Sequence, residues 1–425
     1  MGNFVGKVLL FLGTSVASVN MVRYARKEGA YVIVTDNLSP ELSAAKQEAD
    51  EIAEVSTRDV DALCAFAREN NVDGILCGVS EGNWIAAQEA CRRLGLPCYF
   101  TKEQWDSCQD KKKFKDLCIA NGVPVPREYH INSEVDLDLV NYPVIVKPVD
   151  GFAAVGITIC ANRAELLQAI EIAKEASKSG CVIVEDYVVG TEITAVYTIK
   201  NRRASLSLVR DRYPSLDHEW VTAQFDASIA PSRFFDEFIE KVDPAIKRLL
   251  TSVDAYAGTV FFQGIANDHG IFIFECGYRM NALCDFYNLS EANGINYMQM
   301  MVNYALTGEM GGAQLDCDNP NPDCFCCVFN MTAHAGTIAL LDGVEACREL
   351  PGVIYAEYLL PLGHHVEENN SMAQSVFRAY INAKDITCLK EVISEMQKLV
   401  RVEDEGGNNL LFLPFDVERI VDTLK

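Results

Sequence analysis

The chain contains no stretch of about 18 or more consecutive apolar residues, so its sequence offers no membrane-spanning helix. Basic residues are scarce: 37 lysines and arginines face 60 aspartates and glutamates, a formal net charge of −23. The one basic block is Lys111-Lys112-Lys113. A field of that sign repels phosphate backbones and argues against nucleic acid as a partner. Any anionic small ligand must instead be held by a few local cations and by backbone amides. A G-x-G-x-x-G turn is absent, since the first strand is followed by Gly13 alone, and this argues against a bound dinucleotide. Internal repeats and low-complexity tracts are absent too, as is any Ser-His-Asp or Cys-His constellation. The apolar opening Lys7–Leu12 has one cation before it and breaks at Gly13, so it reads as a strand and not as a secretory leader.

Cysteine is plentiful, but paired C-x₂-C spacing is lacking. Most of the sixteen cysteines lie singly in apolar segments, as at Cys77, Cys118, Cys160 and Cys181. Small core residues of a reducing compartment are distributed in this way, and the expected location is cytoplasmic. Cys317, Cys324, Cys326 and Cys327 cluster without the spacing of a structural zinc site and read as reduced thiols in a loop.

A chain of 425 residues suits two or three packed domains. Over the first hundred residues strands alternate with helices: Lys7–Leu12, a helix closed at Gly29, Tyr31–Thr35, a helix through Val60, Leu63 and Ala67, Gly74–Cys77, and a helix Ile85–Leu94. This order predicts a parallel sheet with helices on both faces. The loop Gly78–Gly82 follows a strand and opens a helix. Ser80 and Glu81 therefore have two readings, as ligand contacts at the sheet's carboxyl edge or, for Ser80, as a helix N-cap. A helix from Asp110 to Asn121 leads into Val123-Pro124-Val125-Pro126, a stiff linker. Beyond it hairpin strands predominate, with long helices expected over Arg163–Ala176 and Phe234–Tyr256 and a last one near Leu389–Leu399.

Several polar residues stand where burial alone would make them costly. Lys147 ends the β-branched strand Pro143–Pro148 and precedes a loop, Asp150 to Gly156, whose glycines Gly151 and Gly156 suit backbone amides closing over phosphates. The strand Val182–Glu185 ends in Glu185-Asp186, and Glu192 starts the next, an arrangement able to read a purine and its ribose. With a loop centred on His269, Gln263 and Glu275 face each other across a hairpin as oxygen ligands suited to Mg²⁺. Arg279, four residues after Glu275, adds a fixed charge for a developing acyl phosphate.

In order and spacing, Asp110-Lys111, Lys147 before the glycine loop, Glu185…Glu192 and Glu275-x-x-x-Arg279 resemble the ATP-grasp superfamily. The similar branch holds carbamoyl-phosphate synthase large-subunit-like proteins, biotin carboxylase and L-amino acid ligases. The resemblance implies a fold of mixed α/β and α+β class. Residues 1–100 would form a Rossmann-like pre-ATP-grasp domain, 101–310 the ATP-grasp domain, and 311–425 a C-terminal α+β domain packed on it. Lys111 and Lys147 would contact nucleotide phosphates, with Gly151 to Gly156 as a lid. Glu185, and Asp186 and Val188 through their main chain, would read adenine, and Glu192 the ribose. Gln263 and Glu275 would hold Mg²⁺ or Mn²⁺, and Arg279 would steady the phosphorylated intermediate. The implied activity is an ADP-forming ligase joining a small carboxylate to an amine through an acyl phosphate. Its alternatives are a bicarbonate-phosphorylating enzyme and a nucleotide-binding module without turnover. Homodimers are common in this branch. Ser80, Glu81, Arg210, Arg212 and Tyr278 are expected on the substrate side. Three features depart from the family pattern: Gln263 replaces an acidic ligand, Gly277 replaces an Asn, and the lid carries Phe152 and Val155.

Overall fold

The computed structural model describes residues 2–131, 134–150, 156–215, 224–312 and 315–421. The N-terminal sheet is parallel, in the order Glu51–Ile52, Tyr31–Thr35, Val8–Leu12, Gly74–Cys77. Leu9 to Leu12 are buried, as expected of a central strand covered on both faces. The helix after the last strand spans Glu81–Leu94, a turn earlier than its apolar pattern suggests. Ser80 caps it by accepting from the Asn83 amide, and Gly95 closes it in the left-handed region.

A second sheet is antiparallel, in the order Glu128–Tyr129, Val182–Asp186, Val144–Pro148, Thr158–Cys160. The helix Arg163–Ala176 buries Leu166, Ala169, Ile170 and Ala173 against it, forming a small core of its own. The third sheet has eight antiparallel strands. Their order is Gly270–Gly277, Gly258–Asn267, Thr191–Lys200, Arg203–Pro214, Phe225–Ala230, Phe325–Thr332, Ser375–Ala383, Val353–Tyr358. The late strands thus extend the same sheet that begins at Thr191. They also build a separate apolar core with the helix Ile386–Leu399, through Phe329, Phe377, Ile381, Leu389 and Ile393.

The long helix expected over Phe234–Tyr256 is broken. A short turn at Phe235–Glu237 runs into a π turn at Phe238–Val242, and regular helix occupies only Asp243–Ser252. Pro244 has no N–H to continue the ladder, and Asp254 adopts φ 51° just beyond the end. Among the described residues no helix is long and apolar enough to cross a membrane.

Glu357 lies opposite Arg378 on the neighbouring strand. Burial pushes its carboxyl up to about 7, although the Arg378 guanidinium pulls the other way. A carboxyl that binds its proton more tightly folded than unfolded costs stability once ionised, so the penalty grows as pH rises from the ordinary carboxylate range to about 7. Glu357→Gln should therefore stabilise the fold by up to about 3 kcal/mol above about pH 8 and by almost nothing near pH 4. Urea denaturation at the two pH values reads the difference.

Candidate active site

Asp110 caps the helix Lys111–Asn121, its carboxylate accepting from the Lys113 amide at 2.9 Å, which sets Lys111 in the first turn. Burial pushes the Lys111 ammonium below its ordinary value. Glu275 opposes that shift and Lys147 adds to it, with Glu81 and Asp150 also within electrostatic reach. Glu275 is solvent-accessible, yet protein crowds it on most sides, as at the floor of a cleft. Desolvation raises its carboxyl against the pull of Lys111 and Arg279. Among the described residues Glu275 and Gln263 make no hydrogen bond or contact ion pair with their side chains. The two face each other across the hairpin as expected, though for a different reason. The turn closes at Asn267 and Gly270, and a bulge between Gln263 and Gly264 supplies the shift that aligns Gln263 with Glu275.

Cross-strand partners share a face of a sheet. Glu275 pairs with Gln263, Gln263 with Thr194 and Thr194 with Arg210, so one transverse row carries both candidate metal ligands and Arg210. Arg210 is nevertheless no substrate contact. It is buried and ion-paired to Asp285, and burial holds its guanidinium down at about 10. In the next row Glu192 faces Arg212, and the two are ion-paired, with Arg212 also donating to the Gln224 carbonyl at 3.1 Å. A ribose candidate and a substrate candidate thus neutralise each other.

Glu185 is buried between two ammonium groups: Lys147 from the adjacent strand and Lys115, at 2.8 Å, from the helix Lys111–Asn121. Burial by itself would raise this carboxyl, but the two lysines outweigh it and hold it below its ordinary value. Lys115 was not among the sequence candidates. Its signal was its place four residues after Lys111, on the same helix face. Asp186 donates its amide to the Arg127 carbonyl at 2.9 Å and accepts at its carboxylate from the Tyr129 hydroxyl at 2.6 Å. Val188 has no backbone hydrogen bond among the described residues. The crevice lined by Lys111, Lys115, Lys147, Glu185 and Phe274 holds only about 20 Å³, too little for a purine.

The Arg279 guanidinium donates to Glu81 at 2.7 Å and to the Met280 carbonyl at 3.0 Å. Glu81 therefore reaches the site from the N-terminal region, while the Ser80 hydroxyl is spent on its cap. Tyr278 lies in the core, fully buried, its hydroxyl donating to the Ala257 carbonyl at 2.9 Å. It follows directly on the strand end at Gly277, and its complete burial keeps it from being a substrate contact. Gly151 and the lid through Val155 lie outside the described residues. At the far end Gly156 has φ 75°, and at the near end Asp150 accepts from the Ser177 hydroxyl at 2.6 Å and the Ser179 amide at 2.9 Å.

The family model for the D-ala D-ala ligase C-terminus matches residues 126–217, a segment running through Lys147, Glu185 and Glu192. The carbamoyl phosphate synthase large chain of Methanospirillum hungatei is 26% identical over 181 residues, 40% of this chain and 17% of that one. The D-alanine--D-alanine ligase of Fusobacterium nucleatum is 28% identical over 134 residues, 32% of this chain and 41% of that one. The matches thus span well under half the length of these relatives. The crystal structure of the L-amino acid ligase from Bacillus licheniformis superposes with a TM-score of 0.76 at 16% identity, covering 94% of this chain and 99% of that one. The chain has the fold of the ATP-grasp superfamily.

Within that superfamily the Gly277 departure has a steric explanation here. Gly277 faces Phe261, and a Cβ on Gly277 would stand 2.4 Å from the Phe261 ring. The same ring lies beneath the Arg279 guanidinium, 5.2 Å from its centroid. Phe261 thus fills the space of the usual Asn side chain and supports the arginine instead. Its sequence signal was the two-residue spacing to Gln263, matching that from Glu275 to Gly277. Gly277→Asn alone should destabilise the protein by about 1–3 kcal/mol through overpacking. Combined with Phe261→Ala it should cost less than the sum of the two single changes, which denaturant titration of the four proteins measures.

Proposed function

We infer that this chain is an ADP-forming carboxylate–amine ligase working through an acyl phosphate. One observation carries the reading. In a chain of net charge −23, Lys111, Lys147 and Arg279 gather around one cleft with Glu275 and its neutral cross-strand partner Gln263. Cations so grouped suit a triphosphate. The donor pair, one carboxylate and one amide oxygen, fits a divalent cation that takes its other ligands from phosphates and water. No group of three or more His, Cys, Asp or Glu side chains able to hold a metal ion occurs among the described residues. Gln263 and Glu275 would hold Mg²⁺ or Mn²⁺ delivered with ATP, and that ion supplies charge neutralisation at the phosphates when bound.

In this reading Lys111 and Lys147 bind the phosphates. A substrate carboxylate oxygen attacks the γ-phosphorus, and the bond to the bridging oxygen breaks to release ADP. Arg279, held in place by Glu81 and Phe261, stabilises the acyl phosphate. An amine nitrogen then attacks the carbonyl carbon, inorganic phosphate leaves, and the nitrogen gives its extra proton to solvent. The chain's contribution is positioning and charge compensation. We assign nucleotide handling to residues 101–310, with residues 1–100 supplying Glu81 and residues 311–425 extending the large sheet. All sixteen cysteines are free thiols, which favours a cytoplasmic setting.

Release of ADP and phosphate across pairs of carboxylates and amines, with bicarbonate as an added acceptor, tests the reading. Turnover that needs both a carboxylate and an amine supports it. Turnover with bicarbonate alone, or none with any pair, overturns it. Lys111→Ala should weaken ATP binding by about 2–3 kcal/mol. Glu275→Gln should abolish turnover while leaving nucleotide binding largely intact, as calorimetry would read.

A further inference from the structure

The cysteines Cys317, Cys324, Cys326 and Cys327 do not share one loop. Cys324 stands one residue before the strand Phe325–Thr332, and Cys326 and Cys327 lie within it. Residues two apart on an extended chain share a face, so Cys326 is on the side of Cys324, and the two sulfurs approach to 3.8 Å. Cys327 is turned the other way, into the core of the late strands. Two residues of extended chain separate the Cα atoms of Cys324 and Cys326 by roughly 6–7 Å, a span a disulfide can close.

The two sulfurs differ in access. Cys324 is partly exposed and lines an open groove of about 640 Å³ with Asn319, Asp323, Gly352 and Asn382. Cys326 is buried behind it, opposite Asn382 on the neighbouring strand. The hydrogen bond between the thiols holds Cys324 below its ordinary value, against burial and the Asp323 carboxylate. The same bond, with burial, pushes Cys326 up. Ionisation therefore falls on the sulfur that solvent reaches, and the thiolate is the form that reacts. Glu291 and Asp323 line the groove with no lysine or arginine beside them, a surface that suits a neutral oxidant over an anionic one.

We propose that Cys324 and Cys326 are a peroxide-reactive pair, in which Cys324 is oxidised from the groove and Cys326 closes the disulfide from behind. The Cys324 thiolate attacks one oxygen of hydrogen peroxide. The S–O bond forms, the O–O bond breaks, and hydroxide leaves to take a proton from solvent as water. The Cys326 sulfur then displaces the hydroxyl of the Cys324 sulfenic acid, and its thiol proton leaves with that hydroxyl as a second water. Two thiols are oxidised to one disulfide and one peroxide is reduced to two waters. Reversible disulfides of this kind are compatible with a reducing compartment. The site is independent of the ligase reading.

Oxidation of the full chain by hydrogen peroxide, followed by maleimide blocking and peptide mass mapping, tests the pair. The peptide holding both residues should lose two hydrogens and take up no maleimide at either sulfur, and dithiothreitol should reverse the change. This should proceed at least about tenfold faster than oxidation of Cys181, an exposed cysteine outside the pair. Cys326→Ala should leave Cys324 as a sulfenic acid that dimedone traps, and Cys324→Ser should leave Cys326 a free thiol. A disulfide from Cys324 to any other cysteine, no disulfide at all, or Cys181 reacting as fast would overturn the proposal. These three readings come from the unaltered protein and hold even if Cys326→Ala fails to fold.

Discussion

Glu185 is the group on which the arrangement of this protein's layers depends. A buried carboxylate is tolerable only if charge and hydrogen bonds replace the water it has lost. Two lysines do this, one from the neighbouring strand of the small sheet and one from the helix Lys111–Asn121. The triad fastens that helix to the small sheet, and the same helix carries Lys111 at its start. Charges that would otherwise repel one another in the cleft, Lys147 and Lys111, are thereby kept together. Removing Lys115 would leave Lys147 as the carboxylate's remaining ammonium partner and would loosen the small sheet from the helix.

A second constraint is the bulge in the hairpin of Gly258–Asn267 and Gly270–Gly277. Side chains alternate faces, so a one-residue slip would turn Gln263 away from Glu275. The bulge aligns them and so extends a polar row across four strands, from Glu275 to Arg210. The two ends of this row differ in what covers them. At one end Glu275 remains open to solvent, where a nucleotide and its cation could reach it. At the other Asp285 closes over Arg210 and turns a charged residue into part of the core. Beside the open end, Phe261 lies across Gly277 and under Arg279, tying the departure from the superfamily pattern to the support of the arginine.

The acidic balance of the chain gives these few cations their weight. With so many carboxylates around, each cation has acidic neighbours, and the geometry of its pairing decides whether it still faces the cleft. Arg212 is paired with Glu192, and Arg279 with Glu81 through a bond that leaves it at the cleft.

Local rules made much of this protein legible in its sequence. Continuous apolar runs marked the parallel strands, which are buried on both faces, and the helices between them showed through apolar residues spaced three and four apart. Asp110 with Gly122 bounded the helix that begins at Lys111, since caps are written in one or two residues. Lys147, Glu275 and Arg279 were readable as candidates from residue type and spacing, and Lys111 from the resemblance to the ATP-grasp superfamily. Pairing over long range was not readable. The sequence alone could not show that Arg210 meets Asp285, that Glu192 meets Arg212, that Tyr278 is core, or that Phe261 occupies the place of an Asn side chain. Each of these depends on which distant segment packs against the residue. Sheet order and register decide that, with bulges such as the one at Gln263, through burial that no local pattern encodes.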